Sequence, residues 1–426
     1  MEHKVFDEKS YKIYTIKTDR FKTSTIKVVF RTKVDKITMP RFSFLASYLN
    51  KCTKNYKSPR EVALKKEELY NAYAASSVDK IGDCLKISFV MEFINPKYIE
   101  EKDYLHNIVS FLFEMILKPN IKNGSFDLNI FNMVKDEIIL DIESINENPG
   151  RKAINNAITN MDKDSSSAFS VIGTKEDIEN ITEEKLYETY LNLVNNSLVD
   201  IFVIGDLDEN SVVREIEKVY KNHHIRHEKI DYYIENKTRN KLNVIEEESP
   251  FLQTQLVALY NLINLEKIEK ELTFHVLNFI LGSGGLSSKL NRYVREDNGY
   301  CYHISSMYFK YDNVMCIASS LQRQNVEHTL KLIKKAIKEM QNGDFTEEEV
   351  EDAKQNLLLS LKIGKNKKQS ILSSFEFSLY TGAMSIEDKI ENIKNITKKD
   401  IVKLAKKIKE NTVYILSEEK DERNNN

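Results

Sequence analysis

The sequence predicts an α+β (α/β) fold made of two homologous domains, on three observations. Segments of strand and helix character alternate along the chain. The same order of elements recurs at an offset of roughly 230 residues, too long a period for a solenoid. The 426 residues suffice for two such units, each with its own core. The predicted boundaries are 1–221 for the first domain, 222–247 for a linker and 248–420 for the second domain.

In the first half, TIKVVFRTKV (25–34) is rich in β-branched residues and reads as a strand. Residues 40–53 set Leu45 and Leu49, and Phe44 and Tyr48, four apart, which predicts a helix. Ser58, Pro59 and Glu61 are the cap, first-turn proline and capping-box acid of the next helix. NAYAASSV (71–78) and CLKISFVMEF (84–93) follow as strands, then an amphipathic helix over 99–118 and helical sequence to about 160. LVDIFVIGDLD (198–208) reads as a buried strand closing in a Gly-Asp turn. The charged segment NHHIRHEKIDYYIENKTRNKLN (222–243) reads as linker. Its His223 and His227 stand four apart beside Glu228, but no apolar face would fix them, so a solvated segment is the reading.

The second half repeats the order. TQLVALYNLI (254–263) is a strand, and ELTFHVLNFIL (271–281) and SSKLNRYVRE (287–296) are helices. YCYHISSMYF and NVMCIASSL are two strands, and VEHTLKLIKKAIKEM is an amphipathic helix. Thr346 and Glu349 form a capping box for a long helix with Val350, Ala353, Leu357 and Leu361 on one face.

Composition narrows the function. Hydrophobic residues at 41% and charged residues at 30% describe a globular chain, not a disordered one. The 63 basic and 65 acidic side chains nearly cancel, so net charge draws the chain to no nucleic acid. Cys52, Cys84, Cys301 and Cys316 are scattered with no CxxC, which predicts reduced thiols and a cytoplasmic protein. The N-terminal MEHKVFDEKSYKIYTIKTD lacks the apolar run of a signal peptide, and no stretch approaches the ~20 apolar residues of a membrane helix.

Several pieces carry a resemblance. They are KCTKNYKSPREV followed by NAYAAS, then DIESINENP, VIGTKEDIENITEEKLYETY and VDIFVIGDLDEN. In the second half come LNFILGSGGLSSKLNRYVREDNGYCYHISS and DFTEEEVEDAKQNLL. No one piece is specific, but in this order and spacing they resemble the pitrilysin/insulinase metallopeptidase family, especially its processing-peptidase-like branch, over nearly the whole chain. The resemblance implies two αβ halves, each an antiparallel-rich mixed sheet packed with helices, that work as a clamshell.

It also implies where a metal site would lie. Active members carry His-x-x-Glu-His on the helix preceding the segment that matches KCTKNYKSPRE. Two histidines four apart share one helix face and can grip one Zn²⁺, and the glutamate serves as general base. Counted back from Lys51, the histidine positions fall on Ser43 and Ser47 and the glutamate on Ala46. The third ligand position falls near Asn132, with Glu137 an alternative. One carboxylate does not hold a catalytic zinc, so the expectation is no metal, no cofactor and no catalysis by the isolated chain.

A second site is retained. The stretch REDNGYCY (295–302) resembles the arginine and tyrosine, seven apart, that active members supply from their second half. In that resemblance Arg295 anchors a substrate carbonyl and Tyr302 donates to the oxyanion. Asn298 departs from the pattern, since many relatives are basic there. Gly282, Gly284 and Gly285 match a glycine-rich loop linked in the family to substrate recognition, although glycines also end helices. The expectation is a non-catalytic subunit that pairs with a zinc-bearing homologue, or as a homodimer, and helps hold a peptide substrate. The alternative is a non-enzymatic binding or scaffold protein that kept the fold.

Overall fold

The computed structural model describes residues 3–122, 124–221 and 229–418. His223, His227 and Glu228 lie outside the described residues. The elements of the first part, in chain order, are β1 (Lys4–Asp7), β2 (Tyr11–Lys17), β3 (Thr23–Lys33), α1 (Met39–Leu49), α2 (Pro59–Glu68), β4 (Tyr73–Ile81), β5 (Cys84–Ile94) and α3 (Tyr104–Leu117). Then come the short pair β6 (Ile121–Lys122) and β7 (Ser125–Phe126), followed by α4 (Leu128–Glu147), α5 (Pro149–Met161), α6 (Lys175–Glu179), α7 (Glu183–Asn196), β8 (Leu198–Gly205) and α8 (Glu209–Val219). The rest comprises β9 (Asn243–Ser249), β10 (Thr254–Leu262), α9 (Phe274–Asn278), β11 (Cys301–Phe309), β12 (Val314–Leu321), α10 (Val326–Asn342), α11 (Glu347–Gly364), α12 (Lys368–Thr381), α13 (Ile386–Asn392), α14 (Lys398–Ala405) and β13 (Ile408–Glu418).

The chain divides into two compact units, residues 1–143 with 169–231, and 144–168 with 232–426. The first holds a mixed sheet of order β1-β2-β8-β3-β5-β4, in which only β2 and β8 run parallel. The second sheet has the order β11-β12-β10-β13-β9, in which only β13 and β9 run parallel. Written from the parallel end, both read the same way: β2-β8-β3-β5-β4 and β9-β13-β10-β12-β11. Each sheet is therefore antiparallel-rich, and the two repeat one topology.

The local signals explain the elements. Leu45, Leu49, Phe44 and Tyr48 of α1 are all buried, which is why that spacing forms a helix against the first core. Ser58 Oγ accepts from Glu61 N at 3.2 Å, and the Glu61 carboxylate accepts from Lys57 N, one residue earlier than a reciprocal box requires. Thr346 and Glu349 complete theirs at the start of α11. The nine residues of β10 are buried throughout, as suits a strand between β12 and β13.

Three expectations change. The helix predicted over 99–118 begins at Tyr104, because Pro96–Tyr98 makes a tight turn capped by Asn95. The helical stretch to 160 is broken where Asn148 caps a new helix with Pro149 in its first position. That helix, α5, falls within residues 1–221 but belongs to the second unit: its stripe of Ala153, Ala157 and Met161 packs on Val257, Leu259, Tyr414 and Leu416. Residues 243–247, read as linker, are most of β9. Ahead of β9 the chain is tied to the second unit by Ile234 N donating to Tyr311 O at 2.8 Å and by Lys270 over the Tyr233 ring at 3.9 Å.

Candidate functional site

On α1, the positions that would ligate a metal are built into packing. Ser43 is buried and donates from Oγ to Val171 O at 2.6 Å. Ala46 is buried, and its carbonyl accepts from Ser76 Oγ of β4 at 2.7 Å. Ser47 is half-buried, and Asn132 on α4 is exposed. Glu137 is engaged with Lys51 Nζ at 2.8 Å. Two hydroxyls, a methyl and a carboxamide offer neither imidazole nor a base, so this donor set does not fit a catalytic zinc. Among the described residues no group of three or more histidine, cysteine, aspartate or glutamate side chains is placed to hold a metal ion.

The second unit brings Arg295 and Tyr302 to one open cleft of about 460 Å³, with Gln253, Cys301, Gln322 and Asn325 also on its wall. Arg295 sits in the last turn of a π-helical segment, Asn291–Glu296, the wider winding often found at functional sites. Its Nε lies 3.3 Å from Glu296 Oε1, an exposed pair that leaves the guanidinium within reach of another acceptor. Gly299 closes the turn with φ +65°, where its N–H donates to Arg295 O at 2.9 Å. Asn298 has a place in this closure, donating from Nδ2 to Tyr293 O at 2.7 Å.

Tyr302 is 88% exposed, and a β-bulge puts it there. Cys301 pairs with Leu321 and Ile304 with Ser319, so Tyr302 and His303 together oppose Ser320 alone. The cleft wall below is carboxamide and hydroxyl: Gln255 Nε2 donates to Ser320 Oγ at 2.9 Å, which donates to Gln253 Oε1 at 2.8 Å. Burial raises the pKa of the Cys301 thiol, so the sulfur adds no charge to this wall.

The glycine-rich turn has a packing reason. A Cβ on Gly282 would lie 2.6 Å from Ser306 Oγ of β11 and 2.7 Å from Leu290 Cδ1. The helix made of the π-turn Glu269–Thr273, α9 and the π-turn Phe279–Ser283 therefore comes close to the outer edge of β11. Asn278 Nδ2 donates to Ser306 O at 3.1 Å, and Asn291 Nδ2 to Ile304 O at 3.0 Å. Gly284 lies against Phe279 O, and Gly285 takes φ +68° facing open space. Asn278, Asn291, Ser319 and the cleft carboxamides were not singled out by sequence reasoning; asparagines on the buried side of a helix pattern were the available signal.

The two units also repeat this corner. Ser306 Oγ points to Asn278 O at 3.5 Å, as Ser76 Oγ does to Ala46 O, so Asn278 stands where Ala46 stands in the first unit. Tyr73 lies three residues before Ser76 and Tyr302 four before Ser306; the bulge is the extra residue.

Comparison with known proteins agrees with this architecture. Residues 180–357 match the family model described as the peptidase M16 inactive domain. The "Probable inactive metalloprotease YmfF" of Bacillus subtilis is 26% identical over 411 residues, 95% of each chain. The chain is similar to peptidase M16, the pitrilysin/insulinase family, and to inactive peptidase-like members of it. A further relative, the "Uncharacterized zinc protease YmxG" of the same organism, is 25% identical over 223 residues, 49% of this chain and 52% of that one. The fold coincides with the crystal structure of a conserved protein from Enterococcus faecalis at a TM-score of 0.92 and 23% identity, covering 98% of this chain and 99% of that one. No described helix is long and apolar enough to cross a membrane.

Proposed function

We propose that this chain is the non-catalytic subunit of a heterodimeric zinc endopeptidase, lending Arg295 and Tyr302 to a peptide held against a zinc-bearing homologue. The observation that carries the reading is the contrast within one chain: α1 presents no ligand set, while Arg295 and Tyr302 share an open cleft. The guanidinium would fix a backbone carbonyl of the peptide, and the phenol would donate to the oxyanion formed when water attacks the scissile carbonyl. The carboxamide wall suits an extended peptide read through its backbone, since amides pair with any sequence. The first unit offers a further place for it: β4 is an edge strand of its sheet, so a peptide can add as a strand there. A pair is also supported by Bacillus subtilis, whose inactive and zinc-protease relatives both match this chain. The four cysteines are free, in keeping with a reducing, cytoplasmic setting.

The test is metal analysis and peptidase assay of the chain alone, of the zinc-bearing homologue from the same genome alone, and of the mixture, on an unstructured fluorogenic peptide. The reading expects no stoichiometric zinc and no cleavage for the chain alone, and more cleavage by the mixture than by the homologue. A mixture no more active than the homologue, with the peptide still bound, would make this a binding protein that kept the fold.

A further inference from the structure

The internal repeat supplies a control for the geometry of the cleft. Tyr73 and Tyr302 occupy matching places at the start of an edge strand, each shortly before a serine bonded to the neighbouring helix. In the first unit β4 pairs with β5 in unbroken register from Tyr73 to Ile81, and Tyr73 is 63% exposed. In the second unit the ladder breaks at Tyr302 and His303, and Tyr302 rises to 88% exposed. A bulge leaves a residue out of the ladder, so something else must hold it.

Two side chains do so, one from each flank. Ser319 of β12 donates from Oγ to His303 O at 3.0 Å, on the second bulge residue. Asn291, only 4% exposed, donates from Nδ2 to Ile304 O at 3.0 Å, where regular pairing resumes, and also to Ser288 Oγ at 3.0 Å. Asn291 opens the same π-helical segment that ends in Arg295 and Glu296. One amide therefore spans the two elements of the cleft, the turn bearing Arg295 and the strand bearing Tyr302.

We propose that Asn291 and Ser319 are positioning residues, a latch that holds the bulge and sets the place of the Tyr302 phenol relative to Arg295. The inference rests on the reading that Arg295 and Tyr302 are lent to a partner's substrate, and it assigns these residues no contact with substrate. Both act through Tyr302, so their effect disappears when Tyr302 has no hydroxyl to place.

The experiment is a double-mutant cycle in the chain mixed with its zinc-bearing homologue, using an unstructured fluorogenic peptide. Asn291→Ala and Ser319→Ala are each made alone and together with Tyr302→Phe, and Ser319→Thr serves as the hydroxyl-retaining control. Each single variant is expected to lower kcat on the order of 10-fold with KM little changed, within the ~10²-fold that a misplacement of about 1 Å can cost. Ser319→Thr is expected to restore kcat, and in the Tyr302→Phe background Asn291→Ala and Ser319→Ala change it by less than about 2-fold. In the isolated chain, Asn291→Ala is expected to speed amide exchange at Tyr302 and His303 while exchange in β10 stays slow. Equal losses with and without the Tyr302 hydroxyl would overturn the latch and leave a structural role. So would normal kcat in Asn291→Ala and Ser319→Ala while Tyr302→Phe is impaired. Should Tyr302→Phe itself be silent, the lending of Tyr302 fails and the latch fails with it, a result distinct from the other two. If Asn291→Ala does not fold, Ser319→Ala with its threonine control decides alone.

Discussion

The two units share one strand order and differ at one corner. In the first, β4 runs in even register and the helix beside it presents Ala46, whose methyl can donate no hydrogen bond to the strand edge. In the second, β11 carries a bulge and the corresponding helix presents Asn278, whose amide closes the edge at Ser306 O. A repeated scaffold has thus diverged through a few side chains. One copy has small residues on α1 and ends its sheet on the regular edge strand β4. The other has closed its edge and raised an arginine and a tyrosine into solvent.

The largest expected effect separates the paired tyrosines. Tyr302→Phe is expected to lower kcat of the mixture with the zinc-bearing homologue about 10²-fold, the typical loss of one oxyanion donor. Tyr73→Phe is expected to change it by less than about 2-fold, because an added peptide strand would use the β4 backbone and not the phenol. Equal effects of the two would erase the distinction between the units.

Asn278→Ala makes the second corner resemble the first. It strips Ser306 O of its side-chain donor and is expected to cost about 1–3 kcal/mol, read from urea denaturation of the full chain. The serines give a smaller contrast. Ser76→Ala removes a 2.7 Å bond and is expected to cost about 0.5–1.5 kcal/mol, whereas Ser306→Ala removes one of 3.5 Å and should cost less.

A pH dependence belongs to the second unit. Glu271 is buried, and burial works against its charge, yet a hydrogen bond from Lys310 and an ion pair with Lys389 outweigh that and hold its pKa below the ordinary glutamate value. A depressed carboxylate pKa contributes stability above the unfolded value and loses it as pH falls through the folded one. Stability is therefore expected to decline below about pH 4.5, and Glu271→Gln to flatten that decline in a series of urea titrations.

Much of this was legible in the sequence because it is local. The cap at Ser58, the box at Thr346 and Glu349 and the buried run of β10 are set by neighbours within a few residues. The absence of histidine from α1 and the seven-residue spacing of Arg295 and Tyr302 are likewise plain in one stretch of chain. What was not legible depends on pairing across the fold. The small stripe of α5 names no sheet of its own, and only its fit against Val257 and Tyr414 assigns it to the second unit. The strand β13, central to that sheet, gains its meaning from β10 and β9. The bulge at Tyr302 exists only relative to Ser320, so neither it nor its two holders could be read from the strand alone.

The proposed function has Arg295 and Tyr302 bind a peptide held at the zinc of a homologous partner. The most direct measurement is kcat of the one-to-one mixture with the zinc-bearing homologue, comparing the native chain with Arg295→Ala at saturating peptide. The account predicts a loss of about 10²-fold with zinc bound only to the homologue. Undiminished cleavage with Arg295→Ala, or zinc retained by this chain when purified alone, would contradict it.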